Sequence, residues 1–119
     1  MIWIGNDIVN VVRIESIINK YGIMFLKKIF SRKEISYCIS KKNPNIHFSG
    51  KFSAKEAVIK AIGHYDPSYK IFLKDVEILN DKNSRPFANF KNDILNSLNV
   101  KITISHTDEY ASSFALIHK

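Results

Sequence analysis

Lys51-Phe52-Ser53-Ala54-Lys55-Glu56-Ala57-Val58-Ile59-Lys60-Ala61-Ile62-Gly63 alternates apolar residues with lysines and a single glutamate in a pattern that a helix sorts onto two sides. Phe52, Ile59 and Ile62 recur at near-helical spacing and supply the apolar side. Glu56 and Lys60 stand at i and i+4, so they are neighbours on the other. Gly63 offers a stop, because glycine enters the left-handed conformation at little cost. Upstream, Pro44 disfavours helix at Asn43 within a polar break. The helix is therefore expected from about His47 or Phe48 to Ile62, a rod of about 20 Å at 1.5 Å per residue. A carboxylate between lysines on such a rod can hold a cation while the lysines take phosphate oxygens.

Before the helix, Ile2 to Val9 reads as a strand in which Ile2, Ile4, Asn6 and Ile8 alternate with Trp3, Gly5, Asp7 and Val9. Asp7 runs against strand propensity, and Gly5 beside it leaves room for a ligand to approach. Two readings of Asp7 stand at this point: a functional carboxylate, or the end of the strand and a cap for the next element. Ile14, Ile17, Ile18 and Tyr21 form a helical stripe that Gly22 stops, and Phe25, Leu26 and Ile29 add a turn or two. Ser31-Arg32-Lys33-Glu34 matches a capping box, which makes Glu34 structural, and the helix it opens buries Ile35, Cys38 and Ile39.

Beyond Gly63, the stretch from His64 to Lys70 reads as a loop able to cover a ligand at the helix end. Ile71 to Leu79 and Pro86 to Phe90 read as a strand pair around the turn Asn80 to Ser84. Asn92 opens a short helix through Leu98 that buries Ile94, Leu95 and Leu98. Val100 to Ser105 and Tyr110 to Ile117 are two further strands. One strand, then helices, then several strands with an inserted helix argue one α+β domain over residues 1–119, a mainly antiparallel sheet packed against a long helix.

The chain has 119 residues, 45% hydrophobic and 24% charged, which suits one globular core and excludes wholesale disorder. A net charge of +7 favours an acidic partner, whether nucleic acid, a phosphorylated small molecule or an acidic protein. Only Arg13, Arg32 and Arg85 are arginines, which weakens bidentate readout of bases. A basic nucleic-acid-binding module stays open on composition, although the lysines are scattered and no RNP-like motif is present. The single Cys38 excludes an intrachain disulfide and a cysteine-rich zinc site, and reads as a small buried apolar residue. No apolar run approaches a membrane span, and Met1-Ile2-Trp3 opens no signal-like segment, so the expected location is cytoplasmic.

Three polar clusters lie beside ordered elements: Asp7, the Lys55/Glu56/Lys60 group, and Ser105-His106-Thr107. Two carboxylates without a histidine or cysteine cluster suit a hard cation such as Mg²⁺, which keeps waters and borrows phosphate oxygens. Ser105 and His106 do not form a nucleophile pair, since adjacent strand residues point to opposite faces. His106 and Thr107 can donate to phosphate, or His106 can be an ordinary turn histidine. His47, His64 and His118 have no motif context and read as surface or packing residues. Walker-type and dinucleotide phosphate loops are both absent.

Taken in order, Gly5-Asn6-Asp7-Ile8-Val9 with Arg13-Ile14, then Phe30-Ser31 with Glu34, then Lys51-Phe52-Ser53-Ala54-Lys55-Glu56-Ala57 through Lys60-Ala61-Ile62-Gly63, and Ile104-Ser105-His106-Thr107 resemble the short, trimeric branch of the 4′-phosphopantetheinyl transferases, the holo-[acyl-carrier-protein] synthases. The resemblance spans nearly the whole chain. It implies transfer of 4′-phosphopantetheine from coenzyme A to a serine of an apo-acyl carrier protein, a step that serves fatty acid biosynthesis. It implies Asp7 and Glu56 as Mg²⁺ ligands, with Lys60 beside them at the reacting pyrophosphate. Lys60 and Gly63 match positions near the pyrophosphate, His106 and Thr107 the region receiving the 3′-phosphate, and Lys51 and Lys55 further contacts to coenzyme A. Arg13 matches a contact to the acidic carrier. A homotrimer with active sites between subunits is implied, without membrane or nucleic-acid partners. Lys51 stands where the family usually has arginine, Asn6 replaces threonine or valine, and Ser84-Arg85-Pro86 replaces a glycine-containing turn.

Overall fold

A computed structural model describes residues 1–119. It contains β1 (Ile2–Asn10), α1 (Val11–Tyr21), α2 (Ile23–Ile29), α3 (Arg32–Ile39), α4 (Pro44–Tyr65), β2 (Val76–Asn80), β3 (Pro86–Phe90), β4 (Asn99–His106) and β5 (Tyr110–His118), with 3₁₀ turns at Leu73–Asp75 and Leu95–Ser97. β1, β5 and β4 form one antiparallel sheet in that order, and β2 pairs with β3 in a separate hairpin. This is the α+β arrangement that the alternating patterns predict.

α4 lies across one face of the three-stranded sheet. Its Ala54, Ala57, Val58, Ala61 and Ile62 share a core with Val76 and Ile78 of β2, Ile102 of β4 and Ala115 and Ile117 of β5. Small residues on α4 let the helix lie close, and fully burying each Val or Ile contributes about 1.5–3 kcal/mol. A second cluster, Leu26, Phe30, Cys38 and Phe48, joins α2 and α3 to the start of α4. Cys38 is fully buried there. Its thiol is pushed up to about 12, chiefly by burial, which makes it inert near neutral pH.

α4 extends beyond both predicted ends. It starts at Pro44, because proline's missing N–H costs nothing in the first turn, and it runs through Gly63 to Tyr65 with Asp66 as its C-cap. Gly63 is therefore not a stop. Tyr65 meets Trp3 of β1 edge-on with ring centroids 4.9 Å apart, so tertiary packing carries the helix past its glycine. At 22 residues it is about 33 Å long.

Elsewhere the local signals hold more closely. Gly22 breaks α1 from α2 at φ 58°, and Ser31 and Glu34 form the capping box of α3. Leu73–Asp75 winds into a 3₁₀ turn, so the strand expected from Ile71 begins only at Val76. The helix expected after Asn92 shrinks to Leu95–Ser97, where Leu95 is buried but Ile94 faces solvent. Ser84 takes φ 63° in the β2–β3 turn, the left-handed conformation that a glycine would adopt without strain.

The outer face of the three-stranded sheet is uncovered and carries an apolar patch on β1 and β5, while β4 contributes Lys101, Thr103 and Ser105. Ile4 lies opposite Leu116, Asn6 opposite Phe114 and Ile8 opposite Ser112, and Ile2, Ile4, Ile8 and Phe114 are all exposed.

Candidate active site

β1 turns Trp3, Gly5, Asp7 and Val9 toward α4. A Cβ on Gly5 would overlap the Ala57 carbonyl oxygen and lie 2.7 Å from the Ala61 nitrogen, so strand and helix backbones are in direct contact. The space expected there for a ligand is filled by α4. That close approach has a consequence two residues on, where it brings Asp7 to Glu56 and Lys60. The strand continues to Asn10, whose Oδ1 accepts from the Arg13 N–H at 3.0 Å, so Asn10 is the cap and Asp7 is not.

Asp7 is held by its backbone, its carbonyl accepting from the Ser53 and Ser112 hydroxyls at 3.2 Å each. Its Oδ1 pairs with Lys60 Nζ at 3.2 Å, and the same ammonium donates to the Asn6 carbonyl at 3.0 Å. Its Oδ2 is buried without a partner. Glu56 is half-buried on the facing helix. Its own burial, and after that the negative charge of Asp7, hold its pKa above the usual carboxylate range, with Lys60 pulling the other way. An orphaned buried oxygen beside a second carboxylate is a donor set for a hard cation. No third histidine, cysteine or acidic residue joins them, so such a cation would complete its shell with water and an anionic ligand.

A second site lies earlier along α4, about 7.5 Å of helix axis separating Lys51 from Glu56. A cavity of about 210 Å³ is lined by His47 and Lys51 of α4, Tyr37 of α3, Asn80 at the end of β2, Ser84 of the β2–β3 turn, and His106 of β4, with no acidic residue in its wall. The two imidazole rings are 6.1 Å apart, and Tyr37 meets His47 edge-on at 6.0 Å. Lys51 is only 4% exposed. It donates to the Ile78 carbonyl at 2.6 Å and Asn80 Oδ1 at 3.0 Å, and lies 4.4 Å from the centre of the Tyr37 ring. Burial draws the Lys51 pKa down. The cavity has the chemistry of an anion site.

Lys55 is elsewhere. Predicted as a contact to coenzyme A, it is completely buried on the core side of α4, with its ammonium 2.8 Å from Glu34 Oε1. It also donates to the carbonyls of Leu73 and Val76. Three acceptors use its three protons, leaving none for a ligand. Glu34 in turn accepts from Ser31 N–H and Ile78 N–H, both at 2.8 Å. Burial pulls the Lys55 pKa down and Glu34 draws it back up. The pair fastens α3 and the start of β2 to α4, which replaces the expected coenzyme A contact with a structural role.

Residues 4–115 match the profile of the 4′-phosphopantetheinyl transferase superfamily. The chain belongs to this family. A holo-[acyl-carrier-protein] synthase of Protochlamydia amoebophila is 43% identical over 95% of this chain and 94% of its own. The fold is similar to that of the Neisseria meningitidis holo-[acyl-carrier-protein] synthase, with a TM-score of 0.85, 24% identity and 100% of both chains covered. A Bacillus anthracis holo-(acyl-carrier-protein) synthase in complex with CoA (3′,5′-ADP) superposes with a TM-score of 0.78 at 27% identity, covering 97% of this chain and 94% of that one. Membership in this transferase family displaces the nucleic-acid-binding reading that composition leaves open.

Among the residues singled out from the transferase motifs, Asp7, Glu56 and Lys60 come together, and Lys51 and His106 share the second cavity. Thr107 lies just outside it, its Oγ1 accepting from the Glu109 and Tyr110 N–H groups at 3.1 and 3.0 Å. Gly63 is exposed on α4 with open space around it, and Arg13 is exposed on α1. Sequence reasoning missed His47. Its i+4 spacing to Lys51 was available, but nothing local announced that β4 would bring His106 to it.

Proposed function

We propose that this chain transfers the 4′-phosphopantetheine group of coenzyme A to a serine hydroxyl of an apo-acyl carrier protein, releasing adenosine 3′,5′-bisphosphate. The observation that carries this reading is the buried, partnerless Oδ2 of Asp7 held beside Glu56 and Lys60, in a chain whose curated relatives are holo-[acyl-carrier-protein] synthases. Residues 1–119 act as one catalytic domain.

Asp7 and Glu56 are the residues that would hold Mg²⁺, which when bound supplies charge stabilisation at the pyrophosphate oxygens. Lys60 has a side chain 54% exposed, so little is lost when it swings from Asp7 to a phosphate oxygen. The carrier serine oxygen attacks the β-phosphorus and the bond to the bridging oxygen breaks, so adenosine 3′,5′-bisphosphate leaves with the electron pair. The serine proton passes to a water hydrogen-bonded to Asp7 or Glu56. The backbone at Gly63 borders the pyrophosphate. Lys51, His106 and the Thr107 hydroxyl receive the 3′-phosphate at the second cavity. Arg13 meets the acidic carrier, and the net charge of +7 steers both anionic substrates.

The uncovered sheet face supports self-association. Ile2, Ile4, Ile8 and Phe114 are the apolar residues a homotrimer would bury, and the active sites then lie between subunits. No helix is long and apolar enough to cross a membrane. The proposed location is the cytoplasm, with fatty acid biosynthesis as the setting.

The test is incubation with coenzyme A, Mg²⁺ and an apo-acyl carrier protein, read by intact mass of the carrier. Gain of one phosphopantetheine group is expected, and is to be lost with chelator. An unmodified carrier across fatty-acid and polyketide types would refute the assignment. Light scattering of the active preparation tests the trimer, and a monomeric mass would remove it.

A further inference from the structure

The cavity between His47 and His106 has a feature that the motifs do not encode. Two imidazoles from elements far apart in sequence meet edge-on in its wall, ring centroids 6.1 Å apart, with Lys51 buried in the same wall and no carboxylate lining it. His47 stands one turn before Lys51 on the same face of α4, and β4 delivers His106 from the opposite side. The charged and titratable groups around His47 are His106 from β4, Tyr37 from α3, Lys41 just beyond α3, and Lys51 from its own helix. In the β2–β3 turn, Asp81 and Arg85 pair with each other at 3.8 Å and leave Asn80 and Ser84 to face the cavity. Every full charge at the cavity is therefore positive, and none balances a second proton on the histidines.

We propose that His47 and His106 form a proton-linked phosphate clamp, in which binding a phosphate monoester in this cavity is accompanied by uptake of one proton onto the imidazole pair. The identity of the ligand as the 3′-phosphate of coenzyme A and its product rests on the function proposed above; the clamp rests on the cavity. The physical sequence is direct. Without an anion, burial and then the proximity of His106, Lys41 and Lys51 keep His47 below its ordinary pKa, so it is neutral at neutral pH. A phosphate dianion in the cavity that both rings line reverses that balance, because it attracts a charge that the empty cavity repels. An imidazolium donor then gives a charge-assisted hydrogen bond where a neutral ring gives a weaker one. Lys51 has already committed two protons to Ile78 and Asn80, so a second positive group is what a dianion requires. The predicted consequence is that affinity for the phosphate falls as pH rises, by up to about tenfold per unit between about pH 7.5 and 8.5, where the ligand is almost wholly dianionic.

The experiment is calorimetric titration of the full chain with adenosine 3′,5′-bisphosphate at about pH 7.5, in two buffers of different ionisation enthalpy, which counts protons exchanged. The wild type is expected to take up about one proton per ligand, and adenosine 3′,5′-cyclic monophosphate, a diester with no dianionic phosphate, close to none. His47→Gln and His106→Gln should each remove most of the uptake, and His47→Lys should keep the affinity while abolishing the uptake. Unchanged uptake in His47→Gln, or equal uptake with the cyclic diester, would overturn the clamp. A chain that modifies the carrier but binds the bisphosphate without taking up a proton would overturn this inference alone. A chain that leaves the carrier unmodified yet takes up the proton would overturn the substrate assignment and leave the clamp standing.

Discussion

Replacing Lys55 by methionine removes the positive half of a fully buried ion pair while nearly conserving volume. Glu34 would keep its bonds from Ser31 N–H and Ile78 N–H but lose its only cationic partner, and the Leu73 and Val76 carbonyls would each lose a donor. Stranding one member of a buried pair costs about 3–5 kcal/mol, and the orphaned carbonyls place this variant in the upper half of that range. With about 4 °C per kcal/mol for a domain of this size, Tm should fall by about 16–20 °C. The assay is urea unfolding at fixed protomer concentration, with the double variant Glu34→Gln/Lys55→Met alongside. The double variant removes the stranded charge and should regain about 2 kcal/mol. A loss under about 1 kcal/mol for Lys55→Met, or a double variant weaker than the single, would refute the reasoning. Below its unfolding range Lys55→Met should keep a normal KM for coenzyme A, and a rise of about tenfold, about 1.4 kcal/mol, would restore Lys55 as a ligand contact.

Glu56→Gln should abolish transfer and, in chelator, raise Tm near neutral pH. The folded-state pKa of Glu56 is raised, so the native state holds more protons than the unfolded one, and stability falls as pH rises from about 4.3 through the raised value. The variant loses that pH dependence; a chelated Tm unchanged from wild type above this window would contradict the burial argument. Gly5→Ala should cost more than about 3 kcal/mol and lower activity even where the chain is folded, because the new methyl must push β1 off α4 and separate Asp7 from Glu56. Gly63→Ala should stabilise the helix by about 0.5–1 kcal/mol in thermal unfolding, since its Cβ meets nothing within 4 Å. If the backbone there borders the pyrophosphate, the same variant raises KM for coenzyme A, and an unchanged KM removes Gly63 from the site.

Local rules reached a good deal of this molecule because they concern neighbours in the chain. The Ser31/Glu34 capping box, the Gly22 break, the buried Cys38 and the alternation of β4 and β5 all follow from interactions spanning a few residues. The pairing of Glu56 with Lys60 on one helix face is of the same kind. Where local rules failed, a distant partner had intervened. Trp3 packs on Tyr65 and carries α4 past Gly63, and α4 itself fills the space that Gly5 offered to a ligand.

The site divides along the same line. The sequence by itself determined the donor chemistry: two carboxylates, lysines at helical spacing, and a hydroxyl and imidazole in the last hairpin. Only the tertiary structure decided that Asp7 keeps a buried oxygen free, that Lys55 is consumed by Glu34, and that His47 faces His106. Residue type sets what a group can bond to. Whether that capacity is spent inside the protein or kept for a ligand depends on groups that arrive from 40 or more positions away, as Glu34 accepts from Ile78 across a separation of 44 and Lys60 reaches Asp7 across 53.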